Sequence, residues 1–204
     1  MQVFRRTAVQ LIYTVAIVAS AAQLVAQAKL TKQDATRFAG KLVQIQKNAE
    51  TSRTSTALRS TQLTDGEVNS YLKFLAASEI PNGIVDPILR AAGNGRVTGQ
   101  ALVDLDAVRT QKKRAWTDPL GYLMGKVPVT AAGTLTTQNG VGRFTLESAH
   151  LSGVPVPKSL LQELVSYYSK SPENPAGINM DAPFQLPAAI KEIKVGVGTA
   201  VVVQ

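Results

Sequence analysis

Apolar and polar positions follow two different periods along this chain. After Thr31, Ala35, Phe38, Leu42, Ile45 and Ala49 recur at three- and four-residue spacing. They lie opposite Lys32, Gln33, Arg37, Lys41, Gln44 and Lys47, which predicts an amphipathic helix. Thr31 with Asp34 three residues later is a start signal close to a capping box. Glu50 to Ser60 is rich in Ser and Thr, almost without apolar residues, and reads as a linker. Thr64-Asp65-Gly66-Glu67 is a capping box, with Leu63 and Val68 placed as a hydrophobic staple. It opens a second helix with the stripe Val68, Tyr71, Leu72 and Leu75, which ends before Pro81-Asn82-Gly83.

The period then becomes two. Ile84 to Ala92 is an apolar segment, Gly93-Asn94-Gly95 a turn, and Val97, Gly99, Ala101, Val103 and Leu105 alternate with polar or outward positions. This predicts a hairpin. Residues 107–116 read as a short basic helix or loop, and Asp118-Pro119 opens a helical turn through Met124. In a second hairpin Val127, Val129, Ala131, Gly133 and Leu135 share one face before the strong turn signal Asn139-Gly140. The return strand sets Gly142, Phe144, Leu146, Ser148 and His150 against Arg143, Thr145, Glu147, Ala149 and Leu151. A helix follows Pro157, with Leu160, Leu161, Leu164, Val165 and Tyr168 on its apolar side. Residues 171–189 form a proline-rich loop, and Ile193 to Val203 return to strand around Gly196 and Gly198. The expected fold is α+β, a curved antiparallel β-sheet meander wrapped around or packed by helices.

The N-terminus has a pattern of its own. Arg5 and Arg6 precede an apolar run from Ala8 to Val25 that ends in Ala26-Gln27-Ala28, the arrangement of a secretory signal peptide cleaved after about Ala28. The alternative is an uncleaved N-terminal membrane anchor. The expected organisation is therefore a signal peptide at 1–28, a helix plus Ser/Thr-rich linker at 29–60, and an α+β domain at 61–204. The protein would reside in the periplasm or be secreted.

Composition narrows the chemistry. Among 204 residues there is one His and no Cys. This excludes disulfides, Cys nucleophiles, Cys-type zinc sites and clustered His ligands. The net charge is +8, and removal of residues 1–28 leaves 20 bases against 14 acids, or +6. An exported basic protein meets anionic lipid and cell-wall polymer, so nucleic acid is not expected as a partner. Aromatic residues make up only 5% of the chain, too few for a base-stacking platform. No nucleophile elbow, phosphate-binding Gly loop or metalloprotease motif is present, and no cofactor or metal is called for. His150 reads as a strand residue, and Asp104 with Asp106 as a solvated strand end. An enzyme is not expected.

Three features point to lipid. The inward strand positions mix large apolar residues with Gly99, Ala101, Ala131, Gly133 and Gly142, which leaves room for a closely packed helix or an acyl chain. Lys112-Lys113-Arg114 lies beside Trp116, the only tryptophan, a pairing suited to an anionic membrane interface. The segment 172–189 carries Ile178, Met180, Phe184 and Leu186 on a surface connection, as a core cover or a lid would.

Leu63 to Leu72, Phe144 to Ser148, Leu151 to Pro157 with Leu160-Leu161, and Pro183 to Pro187 with Ile190, Ile193 and Val195 together resemble small exported TULIP-like (tubular lipid-binding) envelope proteins. They are similar above all to uncharacterised secreted proteins of Acidobacteria-type bacteria. The resemblance covers about residues 61–204. It implies a curved sheet wrapped around a long helix, with an apolar groove for lipid tails and no catalytic residue. The expected ligand, a lipid or other apolar small molecule, would lie between the sheet and the helices at 67–77 and 158–169. The candidate lining is Leu72, Leu75, Val103, Leu135, Phe144, Leu146, Leu161 and Leu164. Lys112, Lys113, Arg114 and Trp116 would touch an anionic membrane. The alternative is an envelope scaffold that binds a protein or cell-wall polymer.

Overall fold

Thr31 Oγ1 accepts the Asp34 amide at 3.0 Å and donates to Asp34 Oδ2 at 2.7 Å, which starts the first helix as its sequence predicts. A computed structural model describes residues 29–51, 58–110, 124–170 and 174–204. Within them lie α1 (Lys32–Thr51), β1 (Ser60–Thr64), α2 (Asp65–Phe74), β2 (Ile84–Gly93), β3 (Arg96–Asp104) and α3 (Leu105–Thr110). They are followed by β4 (Lys126–Gln138), β5 (Val141–Leu151), β6 (Val154–Pro155), α4 (Lys158–Tyr168), β7 (Phe184–Gln185), β8 (Glu192–Val195) and β9 (Thr199–Val203). The chain is α+β, with antiparallel pairing throughout its named strands. The proposed signal peptide, the interior of the Ser/Thr-rich segment, Lys112 to Trp116 and the helical turn expected from Asp118 lie outside the described residues.

Two sheets form. The larger is the expected meander β2-β3-β4-β5-β6, with β7 added beside β5. The smaller has the order β1-β9-β8, so the C-terminal hairpin takes β1 as its ladder partner, and its only β-bridge to the meander among the described residues is antiparallel, Ala92 with Val197. Strand β1 was not expected. Its sequence Ser-Thr-Gln-Leu-Thr carries no alternating signal, and its partner Thr199–Val203 lies far away in the chain. The long helix α1 packs against α2 and β1. Its Phe38 ring meets the Tyr71 ring at 5.1 Å, and its Ile45 joins Ile190 and Val202 in the core. Leu63, Leu186, Ala188 and Ile193 close around that cluster, so α1 shares a core with residues 60–204. The Gln204 amide donates to Ile45 O and Ala188 O and accepts from Asn48, which fastens the α1 side of the core.

Two strand readings are corrected. The alternation of β5 shifts at a β-bulge, where Ala132 pairs with Ser148 but Gly133 pairs with Leu146. The extra residue brings Ala149 and Leu151 onto the face of Phe144 and Leu146, and turns Ser148 and His150 to the opposite face. Leu105 begins α3 and does not extend β3, and it is only 2% exposed.

The small residues of the sheet are filled from within. A Cβ on Gly133 would lie 2.4 Å from the Phe144 ring and 2.6 Å from Thr145 O, and one on Gly142 would lie 2.6 Å from the Phe184 ring. Both glycines accommodate aromatic rings of the same protein. Gly133→Ala is expected to cost about 1–3 kcal/mol, because a backbone carbonyl must move. Gly142→Ala should cost less, because the half-exposed Phe184 ring can swing aside. Urea midpoints of the two variants measure this order; a larger loss for Gly142→Ala would contradict it.

Candidate functional site

The site is built from α2 outward. Glu67 closes the expected capping box: its amide donates to Thr64 Oγ1 at 3.2 Å, and its Oε2 accepts the Thr64 amide at 3.0 Å. The same carboxylate binds Lys41 of α1 at 2.7 and 2.8 Å, and Lys41 also donates to Gln62 O of β1 at 2.6 Å. Burial pushes the Glu67 carboxyl up. The hydrogen bonds from Lys41 and the Thr64 amide, together with the Lys41 charge, outweigh burial and hold the group below the usual carboxylate range.

The buried face of α2 is polar. Glu67, Asn69 and Ser70 are buried, while Val68, Tyr71 and Leu72 are half-buried and Leu75 is 48% exposed. This corrects the expected apolar stripe, and hydrogen bonding is the reason. Asn69 donates to Leu89 O and accepts the Leu89 amide, both at 2.7 Å, and so acts as a short extra strand on the free edge of β2. Asp65 accepts the Ala91 amide at 3.0 Å, and the Gly198 amide donates to Ala91 O at 2.8 Å. The Ser70 hydroxyl accepts the Thr31 amide at 3.2 Å. A sheet edge that would otherwise expose unpaired backbone groups is thereby closed.

Next to this edge β2 bends. Val85 pairs with Leu102 and Ile88 with Gln100, so one residue is extra. Asp86 takes a φ of +47°, and Pro87 follows with no amide to donate. The bend opens a groove of about 490 Å³ between the end of α2 and the start of β2. Its apolar wall is Leu30, Leu72, Ile80, Ile84, Val85 and Ile88, with Lys73, Asn82 and Asp86 as its polar members. Lys73 makes its contact with the Phe74 ring, 5.9 Å from the centroid.

The eight candidate lining residues do not converge on this groove. Leu72 lies in it, and Leu75 caps α2 outside its lining. Val103, Leu135, Phe144 and Leu146 share one sheet face by register, all half-buried. Leu161 and Leu164 sit half-buried on α4, which packs against β5, whereas α2 packs against β2. The two helices thus serve opposite edges of the meander. Lys112, Lys113, Arg114 and Trp116 lie outside the described residues. Ile80, Ile84, Val85 and Ile88 were not foreseen as lining, although Pro87 inside an apolar strand segment is a bulge signal.

The expected solvated strand end at Asp104 and Asp106 has specific structural roles. Asp104 Oδ1 accepts the Ala107 amide at the start of α3, and Asp106 Oδ2 accepts the Gly125 amide, each at 3.0 Å. Among the described residues no group of three or more His, Asp or Glu side chains could hold a metal ion, and no helix is long and apolar enough to cross a membrane.

No protein-family model matches the chain, and no curated protein matches its sequence.

The lowered Glu67 group fixes the sign of an acid response. Its stabilising contribution is complete above the unfolded carboxylate value and is lost as pH falls through the lower folded value. The melting temperature should therefore drop between about pH 5 and pH 2, and Glu67→Gln should flatten that drop. Lys41→Met, which strands a buried carboxylate, should cost on the order of 2 kcal/mol at neutral pH and less in acid. Thermal melts across pH check both, and an acid response unchanged in Glu67→Gln would refute the assignment.

Proposed function

We propose that this is an exported, non-catalytic protein that binds lipid or another apolar ligand in the groove between α2 and β2. The groove itself is the observation that carries this reading. Its volume lies within the range of ligand sites, about 300–1,000 Å³, and its wall is largely apolar. About eight to ten buried methylenes would contribute about 6–8 kcal/mol, enough for affinity near the micromolar range. Lys73 at the groove supplies a cation for a carboxylate or phosphate head. The half-buried apolar sheet face extends the surface available to a longer chain. The likeness of residues 61–204 to small exported TULIP-like envelope proteins supports the same reading, although here the long helix α1 lies against α2 and β1. Residues 1–28 support export to the periplasm or the medium. Lys112, Lys113, Arg114 and Trp116 would bring the protein to an anionic membrane.

A second reading, an envelope interaction protein, is favoured by Val154, Leu160 and Ile178, which are exposed in and beside α4. Native mass spectrometry of the protein purified after export separates the two. Stoichiometric lipid, or a rise in melting temperature on addition of palmitate, is expected. Ala77→Trp, which fills the groove from an exposed lining position, should weaken binding at least tenfold. A ligand-free mass with no thermal response would overturn the lipid reading.

The membrane contact is tested by flotation with vesicles containing phosphatidylglycerol. Binding should fall with salt and with Lys112→Ala/Lys113→Ala/Arg114→Ala. Flotation unaffected by both would remove that patch from the proposal.

A further inference from the structure

The opposite face of the meander carries a second concavity of about 260 Å³. It is formed by two adjacent cross-strand rows. Arg90, Thr98 and Ser148 lie in one, with Ala132 as a low point between Thr98 and Ser148. Gln100, Thr130 and His150 lie in the next. No carboxylate lines the concavity. The six polar side chains make no hydrogen bond or ion pair among the described residues. The neighbouring pair behaves differently: Arg96 Nε meets Glu147 Oε2 at 3.1 Å and Thr134 donates to Glu147 Oε1 at 2.5 Å, so that carboxylate is already satisfied. Within the concavity Arg90 is the cation without a carboxylate partner among the described residues.

The β5 bulge is what assembles the patch. In unbroken alternation Ser148 and His150 would share the face of Phe144 and Leu146; the extra residue at Glu147 brings them beside Thr98 and Thr130. We propose that this face binds an acidic saccharide about two rings long. Hydroxyl and amide groups repeat at about 4.8 Å from strand to strand and suit a ligand whose own hydroxyls both donate and accept. The forked, unpaired guanidinium of Arg90 suits a carboxylate. Arg90 and His150 stand three strands apart and one row along, about 16 Å between their backbones, which sets an upper limit on the length of the ligand. The site is separate from the α2–β2 groove except at Ile88, and does not depend on the lipid reading.

His150 is the only histidine, so its ring Hε1 resonance is a single built-in reporter. The purified chain is titrated with a glucuronate-containing disaccharide, with cellobiose and with inorganic phosphate. The acidic disaccharide is expected to move the resonance saturably, and the other two to leave it in place at equal concentration. Arg90→Gln should weaken the response at least tenfold. Arg143→Gln, an equal loss of charge at an exposed β5 position outside the patch, should change it less than twofold. No shift with the acidic disaccharide, an equal shift with phosphate or cellobiose, or equal weakening by both substitutions would each overturn the proposal.

Discussion

The buried carboxylate of Glu67 is the contact on which the rest of the arrangement depends. It caps α2 through Thr64, and it meets Lys41 from α1, which reaches onward to the Gln62 carbonyl of β1. Three elements are therefore oriented at one point. Once α2 is set, Asn69 and Asp65 face the free edge of β2 and replace the strand missing there. A buried ion pair adds little net stability compared with an apolar contact of the same size. Its value here is directional, because the observed placement of α2 satisfies the carboxylate, the ammonium and the sheet edge together.

That placement explains why the apolar surface is distributed as it is. The buried hydrophobic cluster sits between α1, the small sheet and the segment around Ile190, while α2 and α4 serve opposite edges of the meander. One sheet face is consequently apolar and half-covered, and the other is polar, with Arg90 and Arg143 making no ion pair among the described residues. The bulge in β2 opens the groove at one edge, and the bulge in β5 sorts side chains between the two faces. The bulges at Asp86 and Glu147 border the two concavities for which binding is proposed.

Much of this was legible in local patterns. Thr31 with Asp34, the Thr64–Glu67 box, and the Asn94 and Asn139 turns stand where their residue types require, each Asn and the glycine after it adopting positive φ. The α2 face was misread because hydropathy ranks Asn69 and Ser70 as outward residues, whereas each has a backbone group of another element waiting for it. The β5 face was misread because a period-two pattern has no mark for an inserted residue. Leu72 lines the α2–β2 groove, but its partners there, from Ile80 to Ile88, depend on a bend that Pro87 only hints at.

The sequence by itself determined the class of elements, the caps, the hairpin turns and the absence of thiol chemistry, because each follows from near neighbours in the chain. Tertiary structure alone decided that β1 joins β9, that α2 buries its polar side, and that the small positions Gly133 and Gly142 hold the protein's own aromatic rings. These outcomes depend on groups far apart in sequence. Whether a polar side chain is buried or exposed is settled by the hydrogen-bond partner it meets there, and no local pattern records that partner.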